Sequence, residues 1–576
     1  MNPYLRSASN PITTKRCVGL AAAALLSMPL SAAETTEAPN PGIPTATLSL
    51  KPNHINSAES SGAVDIVLTV PHLHIEKGET LFSLNGGFGD FSITDSQGEV
   101  PVVYPEPGGG SFPASRTVDG DVTIRYTSHL SNSFGGPVPV ATPRIDGGDG
   151  FLSSGNFLIP NFDIRSPYKV SIHWDLSAMS PGCSAVSSYG DGDVEIGAGT
   201  LSRIGQAMFM AGHIKRQDES GNFSALWLSD VPDDIRTAMS WAARLHAVMP
   251  GFFLKDKLDS PYRVFLRLNA DVPAGGMAME NSFVVGYDQN TKSSKIQSLL
   301  GHEMVHTFTS NLMDKWYVEG DAVYYQQQLA WRAGMRTSDE YLKDINETAA
   351  AYYASPLIGM PNDKIRSDYW GDVMKIMLPY DRGAIYFAAL NGILRKASGG
   401  TKSVDDLIRE MVSRQRAGQP VNEKVWTELV ADAAGEEGVA LHNAMIKGET
   451  IVPDSDAYGP RFRRVQAKIR RFDKGIEFES NGQTQWRGPE KKKVVAVKSG
   501  SEADKAGIKV GDEVSLSNMG TDGALHNPNA TTDATVTRDG KTFVITYLPR
   551  GEAVDGYQWE RVPGSPEDSD RPLSTR

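Results

Sequence analysis

The chain has 576 residues, of which 40% are hydrophobic and 22% are charged. A chain of this length is too long for one hydrophobic core, so about three to four domains are expected, and the composition excludes a disordered or coiled protein. A net charge of −12 argues against nucleic acid as a partner, because affinity for phosphate backbones comes from clustered Lys and Arg.

The first 33 residues have the features of a secretory signal peptide. Lys15 and Arg16 precede an apolar stretch from Cys17 to Leu30, and small residues follow at 31–33. The stretch has about 14 residues, fewer than the roughly 20 needed to cross a bilayer, and no later segment is apolar for long enough. The sequence therefore predicts an exported protein, periplasmic or secreted, without stable membrane insertion.

Removal of the signal peptide leaves Cys183 as a single thiol, which excludes an internal disulfide. We interpret Cys183 as a structural residue and not as a nucleophile, because nothing near it in the sequence supplies an activating base. His72 and His74 alternate along a predicted strand and so share a face. We do not predict a second metal site there, because no acidic or Cys residue clusters with them.

The first predicted domain covers residues 34–225 and begins with residues 34–45, whose Thr, Pro and Glu suit an extended linker. From about Thr47, apolar and polar positions alternate, as at Ile66, Leu68 and Val70, with Gly and Pro clusters between the alternating runs. This pattern predicts an N-terminal antiparallel β domain. Helical spacing dominates residues 226–460, beginning with a helix after Pro232 that is expected to end at Pro250 and Gly251. We predict a mostly α catalytic domain there, with a small sheet that includes a strand at 262–268.

Short strands around one short helix are predicted for residues 461–550, and residues 551–576 form a tail rich in Pro, Asp and Ser that we expect to be disordered. The sequence thus predicts a multidomain α+β protein.

The segment Gly301-His302-Glu303-Met304-Val305-His306 carries the strongest chemical signal. Histidines at positions i and i+4 lie on one face of a helix and can share one zinc ion. Glu303 is placed beside that metal, where it can take a proton from an attacking water. The apolar residues around the motif predict a helix from about Ser293, with a plausible end at Asn311.

A catalytic zinc site needs a third protein ligand and an open position. Glu319 is the favoured ligand, because it begins a second helical segment, Trp316-Tyr317-Val318-Glu319-Gly320. Asp314 and Asp321 compete for the role. Asp314 is expected in the turn, and Asp321 points about 200 degrees round the helix from Glu319.

His-Glu-Met-Val-His followed by Trp-Tyr-Val-Glu-Gly-Asp-Ala-Val-Tyr-Tyr resembles the gluzincin zinc metallopeptidases, specifically the glycyl aminopeptidases, with a more distant likeness to aminopeptidase N. The resemblance implies a thermolysin-like catalytic domain, one Zn²⁺ per chain held by His302, His306 and Glu319, and a preference for N-terminal Gly or other small residues. One departure is the spacing: residues 307–318, only 12 positions, separate His306 from Glu319.

Two further segments resemble the same family. Gly275-Gly276-Met277-Ala278-Met279-Glu280-Asn281 is similar to the strand that lines the substrate cleft, which implies that Glu280, with Gly276 beside it, binds the free amino terminus of a peptide. Leu378-Pro379-Tyr380-Asp381-Arg382-Gly383 resembles the segment that carries a catalytic Tyr. The resemblance gives Tyr380 the role of donating a hydrogen bond to the oxyanion.

Residues 494–514 resemble a PDZ domain, through Val494-Val495-Ala496-Val497, Lys505-Ala506-Gly507-Ile508 and Gly511-Asp512. The resemblance implies that this module binds the carboxyl-terminal end of a peptide by adding it to a sheet edge, near Gly475-Ile476-Glu477-Phe478. A stabilising appendage without a ligand is the alternative.

The sequence therefore favours an exported zinc aminopeptidase acting on peptides or proteins. Two alternatives remain open. One is an endopeptidase of the same fold, and the other is a non-catalytic peptide-binding or scaffold protein with a structural metal site.

Overall fold

The computed structural model describes residues 42–565, except for residues 60, 86–87, 90, 105–109, 131–139, 163, 165, 220–221, 255–259, 270–274, 310–312, 368, 370–372, 480–490 and 520–522. The signal peptide predicted at 1–33 lies outside these residues, as does the predicted helix end at Asn311. Within the described ranges, no helix combines the length and the apolar character that a membrane crossing requires.

The N-terminal domain is built from two larger sheets and one two-stranded sheet, which pairs its third and sixth strands. Its elements are β1 (Thr45–Asn56), β2 (Ser61–Ile75), β3 (Thr80–Ser83), β4 (Ser92–Asp95), β5 (Gly98–Glu99), β6 (Ser111–Pro113), β7 (Val118–His129), β8 (Arg144–Asp146), β9 (Gly150–Ser154), α1 (Gly155–Leu158), β10 (Pro167–Trp174), β11 (Ser184–Ser187), β12 (Gly190–Asp191), β13 (Val194–Thr200), a 3₁₀ turn (Leu201–Gln206) and β14 (Met208–Gly212). The strand orders are β13-β10-β1-β2-β7-β4-β5 and β12-β11-β14-β9-β8.

The predicted alternation is visible in the burial of β2. Ile66, Leu68 and Val70 are buried, and the residues between them are only partly covered. The prediction of a purely antiparallel domain is wrong in one place, because β1 pairs with β10 in parallel. More than 100 residues connect these two strands, which is ample for the crossover that parallel neighbours need.

The middle domain combines a mixed sheet with packed helices. Its elements are β15 (Lys215–Asp218), β16 (Phe223–Trp227), α2 (Asp233–His246), α3 (Met249–Phe253), β17 (Tyr262–Leu268), β18 (Gly276–Met279), β19 (Ser282–Tyr287), α4 (Ser293–Thr309), α5 (Lys315–Arg332), α6 (Ser338–Ala354), α7 (Asn362–Arg366), α8 (Val373–Ala397), α9 (Val404–Arg416) and α10 (Glu423–Lys447). The strand order is β15-β16-β17-β19-β18, which places β18 at an edge.

The predicted strand at 262–268 and the predicted helix start at Ser293 are both confirmed. The prediction that the helix after Pro232 ends at Pro250 and Gly251 is wrong. The first helix ends at His246, and Pro250 and Gly251 lie inside α3, where a proline at the second helical position needs no backbone hydrogen bond.

The C-terminal module contains a five-stranded sheet and a two-stranded ribbon. Its elements are β20 (Phe462–Phe472), β21 (Ile476–Phe478), β22 (Lys492–Val497), α11 (Glu502–Ala506), β23 (Glu513–Leu516), β24 (Thr532–Arg538), β25 (Lys541–Tyr547) and β26 (Arg550–Arg561). The sheet has the order β21-β22-β23-β24-β25, and β20 pairs with β26 in the ribbon.

The predicted disorder of residues 551–576 is wrong over residues 551–561, which belong to β26. This strand pairs with β20 and buries Trp559, whose backbone exchanges hydrogen bonds with the Asn346 side chain on α6. Burial of the indole and a full ladder of backbone hydrogen bonds outweigh the polar composition of the segment. Residues 566–576 lie outside the described part of the chain.

His246, at the end of α2, generates a prediction for stability. Its ring is 6% exposed and stacks on Tyr262 with 3.9 Å between ring centroids, and burial lowers its pKa to about 4. The unfolded chain therefore takes up this proton at a higher pH than the folded chain. Stability is lost as the pH falls from about 6.5 towards 4, by on the order of 2 kcal/mol at pH 5.

We expect His246→Phe to remove this component of the pH dependence. The difference in unfolding midpoint between about pH 7.5 and 5, followed by tryptophan fluorescence, should be smaller in the variant than in the natural chain. An equal difference in both proteins would contradict the assignment.

Candidate metal centre

Helix α4 presents His302 and His306 one turn apart on the face that packs against α5. Their Nε2 atoms are 3.0 Å apart, and both imidazoles are largely buried, with side-chain exposures of 11% and 9%. The prediction that the i, i+4 spacing places both histidines on one helix face is confirmed, because the two rings converge on the same point.

Glu319 supplies the third group from α5. Its Oε2 atom lies 3.4 Å from His302 Nε2 and 3.3 Å from His306 Nε2. Within the residues that the structure describes, His302, His306 and Glu319 form a group whose donor atoms all lie within 4.8 Å of one another. The structure thus brings the three predicted ligands together, despite the short connection between their helices.

The two competing carboxylates lie elsewhere. Asp314 caps the start of α5 by accepting a hydrogen bond from Lys315 N, and it pairs with Arg366 at 2.6 Å. Asp321 is fully buried, and burial raises its pKa well above the ordinary value. Neither belongs to the donor cluster.

The charge balance at the centre fits a divalent cation. Burial works to raise the pKa of Glu319, but Lys315 and the two imidazoles outweigh it and hold the pKa well below its usual range. A buried carboxylate anion therefore faces two nitrogen donors at one point. Two imidazoles and one carboxylate are a ligand set that zinc accepts at catalytic sites.

Two further residues support the ligands, and neither was predicted from the sequence. Gln326 Oε1 lies 3.0 Å from His302 Nδ1, so it can accept that N–H and leave Nε2 free to bind a metal. Lys315 Nζ lies 3.0 Å from Glu319 Oε1. Their positions four residues before and seven residues after Glu319 place them on its side of α5, a spacing that could have identified them.

Glu303 lies on α4 against the edge strand β18. Its carboxylate accepts a hydrogen bond from the Ala278 backbone N–H, and burial raises its pKa to about 7. A Cβ atom at Gly276 would lie 2.5 Å from Glu303 Oε1, so only glycine leaves room for this carboxylate. Gly276 therefore shapes the pocket around Glu303.

Tyr380 approaches the centre from α8. Its ring stacks on His302, with 5.6 Å between centroids and 9 degrees between planes, and its hydroxyl hydrogen-bonds to Glu319. Tyr369 hydrogen-bonds to the same hydroxyl. Tyr369 is a residue of this site that the sequence reasoning missed, and no spacing signal marks it.

Two glycines set the distance between α5 and α8. A Cβ atom at Gly320 would lie 2.5 Å from the Gly383 Cα, and one at Gly383 would collide with the Trp316 carbonyl oxygen. The two helices therefore touch through their backbones. Because Gly320 follows Glu319 and Gly383 lies one turn beyond Tyr380, this contact places the ligand and the phenol relative to each other.

Glu280 follows β18 and is bound by groups from the N-terminal domain. Arg203 donates from Nε to Oε2 at 3.1 Å and from Nη2 to Oε1 at 2.9 Å. The Tyr189 hydroxyl shares its one hydrogen between Oε2 of Glu280, at 3.1 Å, and the Arg203 carbonyl oxygen, at 2.8 Å. Neither partner could be predicted from the sequence, because both lie more than 70 residues from Glu280 along the chain. These donors occupy three of about four acceptor positions on the carboxylate and leave one on Oε1.

An aminopeptidase N family protein from Idiomarina loihiensis superposes with a TM-score of 0.61 over 90% of this chain and 98% of its own, at 12% sequence identity. The chain has the fold of that protein.

Other matches are weaker. An M1 zinc metallopeptidase from Deinococcus radiodurans gives a TM-score of 0.48 at 15% identity, over 71% of this chain and 94% of its own. Leukotriene A4 hydrolase from yeast gives 0.47 at 13% identity, over 71% and 68%. No protein-family model and no curated protein matches the chain.

The glycine contact between α5 and α8 can be tested by Gly383→Ala. The added methyl group must push the helices apart, which should cost about 1 to 3 kcal/mol of stability. Displacement of the groups on the two helices should lower any hydrolytic kcat/KM by on the order of 100-fold.

The matched control is Gly392→Ala on the same helix, where the nearest heavy atom to the new methyl would be 3.4 Å away. Equal effects of the two substitutions on unfolding midpoint and hydrolysis would show that the helix contact has no special role.

Proposed function

We propose that this protein is an exported zinc aminopeptidase that removes N-terminal residues, preferentially Gly or other small residues, from peptides. One observation carries the proposal: His302, His306 and Glu319 converge on one point, with Glu303 and Tyr380 beside it. The preference for small residues and the export rest on the sequence resemblance and the predicted signal peptide.

The residues around the centre divide the chemistry between them. A bound zinc ion would polarise the scissile carbonyl and make water more acidic. The Glu303 carboxylate takes the proton of the attacking water and can pass it to the leaving amine. The Tyr380 hydroxyl is placed to donate a hydrogen bond to the developing oxyanion. Gly276 keeps the space beside Glu303 open.

Glu280 is the group we propose for the amino terminus of the substrate. Its free acceptor position on Oε1 can take one N–H of an ammonium group, while Arg203 and Tyr189 hold the carboxylate in place. Fixing the ammonium group determines which peptide bond reaches the metal centre, so only the first bond would be cut.

The C-terminal module is proposed to be a PDZ-type domain that binds the end of a peptide chain. Its strand β21 is hydrogen-bonded to β22 on one side, and no other described strand covers its second side. An open strand edge is what strand addition requires.

Glu303→Gln tests the catalytic proposal. The amide is almost isosteric but cannot take a proton, so hydrolysis of an aminoacyl peptide should fall by about 10² to 10⁴-fold while the zinc content stays unchanged. Activity should be measured beside metal analysis of the same sample. A variant with full function would instead support a scaffold protein with a structural metal.

The role of Glu280 is tested with paired peptides that differ only in acetylation of the amino terminus. The natural chain should cut the free peptides and leave the acetylated ones intact. Glu280→Gln should lower kcat/KM for free peptides by about 10 to 150-fold, as expected for the loss of a hydrogen bond to a charged group. Equal cleavage of blocked and free peptides would identify an endopeptidase.

A further inference from the structure

A second group of metal-binding side chains lies in the N-terminal domain. Asp149, Cys183 and His213 each offer one donor atom, and these atoms all lie within 4.8 Å of one another. None of them takes part in the function proposed above. The sequence offered no hint of the group, because its members are 30 or more residues apart.

The sheet register explains why the three residues meet. Cys183 directly precedes β11, His213 directly follows β14 and Asp149 directly precedes β9. These strands are neighbours in the order β11-β14-β9, with Ser184 opposite Gly212 and Ala211 opposite Phe151. Continuing both antiparallel registers places Cys183, His213 and Asp149 in one row at one end of the sheet.

Residues directly opposite each other on antiparallel strands project from the same face, with Cβ atoms about 4.5 to 5.5 Å apart. A row of three such residues therefore directs its side chains to one place. Close approach is also favoured by the glycines that precede His213 and follow Asp149: a Cβ atom at Gly212 would lie 2.8 Å from the Gly150 Cα.

The distances agree with a shared ion. His213 Nε2 lies 3.5 Å from Asp149 Oδ2, and Cys183 Sγ lies 3.8 Å from the same oxygen. Tetrahedral zinc would separate such donors by about 3.4 to 3.6 Å. Other imidazole–carboxylate pairs among the described residues range from 3.0 Å at His173–Asp193 to 3.8 Å at His72–Asp121. It is therefore the convergence of three different donors, and not any one distance, that indicates a set of metal ligands.

The order of the groups argues against a catalytic triad. In a nucleophilic triad the imidazole lies between the nucleophile and the carboxylate. Here both the thiol and the imidazole approach the carboxylate oxygen. The interpretation of Cys183 as a structural residue and not a nucleophile stays a prediction, although the structure places His213 and Asp149, which are distant in the sequence, beside it.

We propose that Asp149, Cys183 and His213 form a second binding site for a divalent transition metal, with zinc as the favoured ion. A thiolate, an imidazole and a carboxylate match the donor preferences of zinc. Solvent can complete the coordination, because the His213 side chain is 51% exposed and that of Asp149 is 28% exposed. An ion there would tie together three segments of the domain, as a disulfide does in other exported proteins.

Cobalt provides a probe specific for this site. The first centre has only nitrogen and oxygen donors, so a sulfur-to-cobalt charge-transfer band in the near ultraviolet can arise only from a cysteine. The full chain is reduced, stripped of metal and titrated with Co²⁺. We expect about two ions per chain and a thiolate band, and about one ion with no band in Cys183→Ser. Because Cys17 is unchanged in this variant, loss of the band assigns it to Cys183.

His213→Asn changes a half-exposed side chain outside the hydrophobic core, and it should weaken the band and the affinity of the second ion by at least about 10-fold. His173→Asn is the matched control, because its imidazole pairs with a carboxylate but has no thiol beside it, and it should leave both unchanged. The inference is overturned if the natural chain shows no thiolate band, if Cys183→Ser leaves the stoichiometry unaltered, or if His213→Asn leaves both the band and the affinity of the second ion unaltered. Glu319→Gln should remove only the ion at the first centre and leave the thiolate band unchanged. A failure of the proposed function can therefore be distinguished from a failure of this inference.

Discussion

The burial of one carboxylate constrains the rest of the catalytic domain. Glu319 is 6% exposed, and an unpaired charge at that depth would be costly. Solvent cannot replace the two imidazoles from α4 and the Lys315 ammonium group at this depth, so the anion depends on these groups. The helices α4 and α5 are therefore held in the one arrangement that brings His302 and His306 to the Glu319 oxygen.

Close backbone packing around this carboxylate positions the helices that carry the site residues. The contact between Gly320 and Gly383 joins α5 to α8 without any side chain between them, and Gly276 admits Glu303 against the edge strand. Such contacts leave little freedom, because a single methyl group would have no space. The precision of the centre thus depends on residues that have no chemistry of their own.

The N-terminal domain contributes more than a scaffold. Arg203 and Tyr189 reach across to Glu280, so residues of two domains meet at the end of β18. The same domain gathers Asp149, Cys183 and His213 at the end of its smaller sheet. Strand pairing brings this second group together, whereas the partners of Glu280 lie on the 3₁₀ turn at Leu201–Gln206 and on the turn between β11 and β12.

Local patterns determined much of this protein from sequence alone. Helical periodicity located α4 and the facing pair His302 and His306, and alternation identified the β domain, because both depend on neighbours within a few residues. The choice of Glu319 over Asp321 also followed from helix geometry. Tertiary structure alone decided the pairing of Arg203 with Glu280, the parallel β1–β10 contact, the ordering of β26 against α6 and the meeting of Cys183 with His213. These features arise from strand register and domain packing, which bring distant segments together and leave no periodic trace in the sequence.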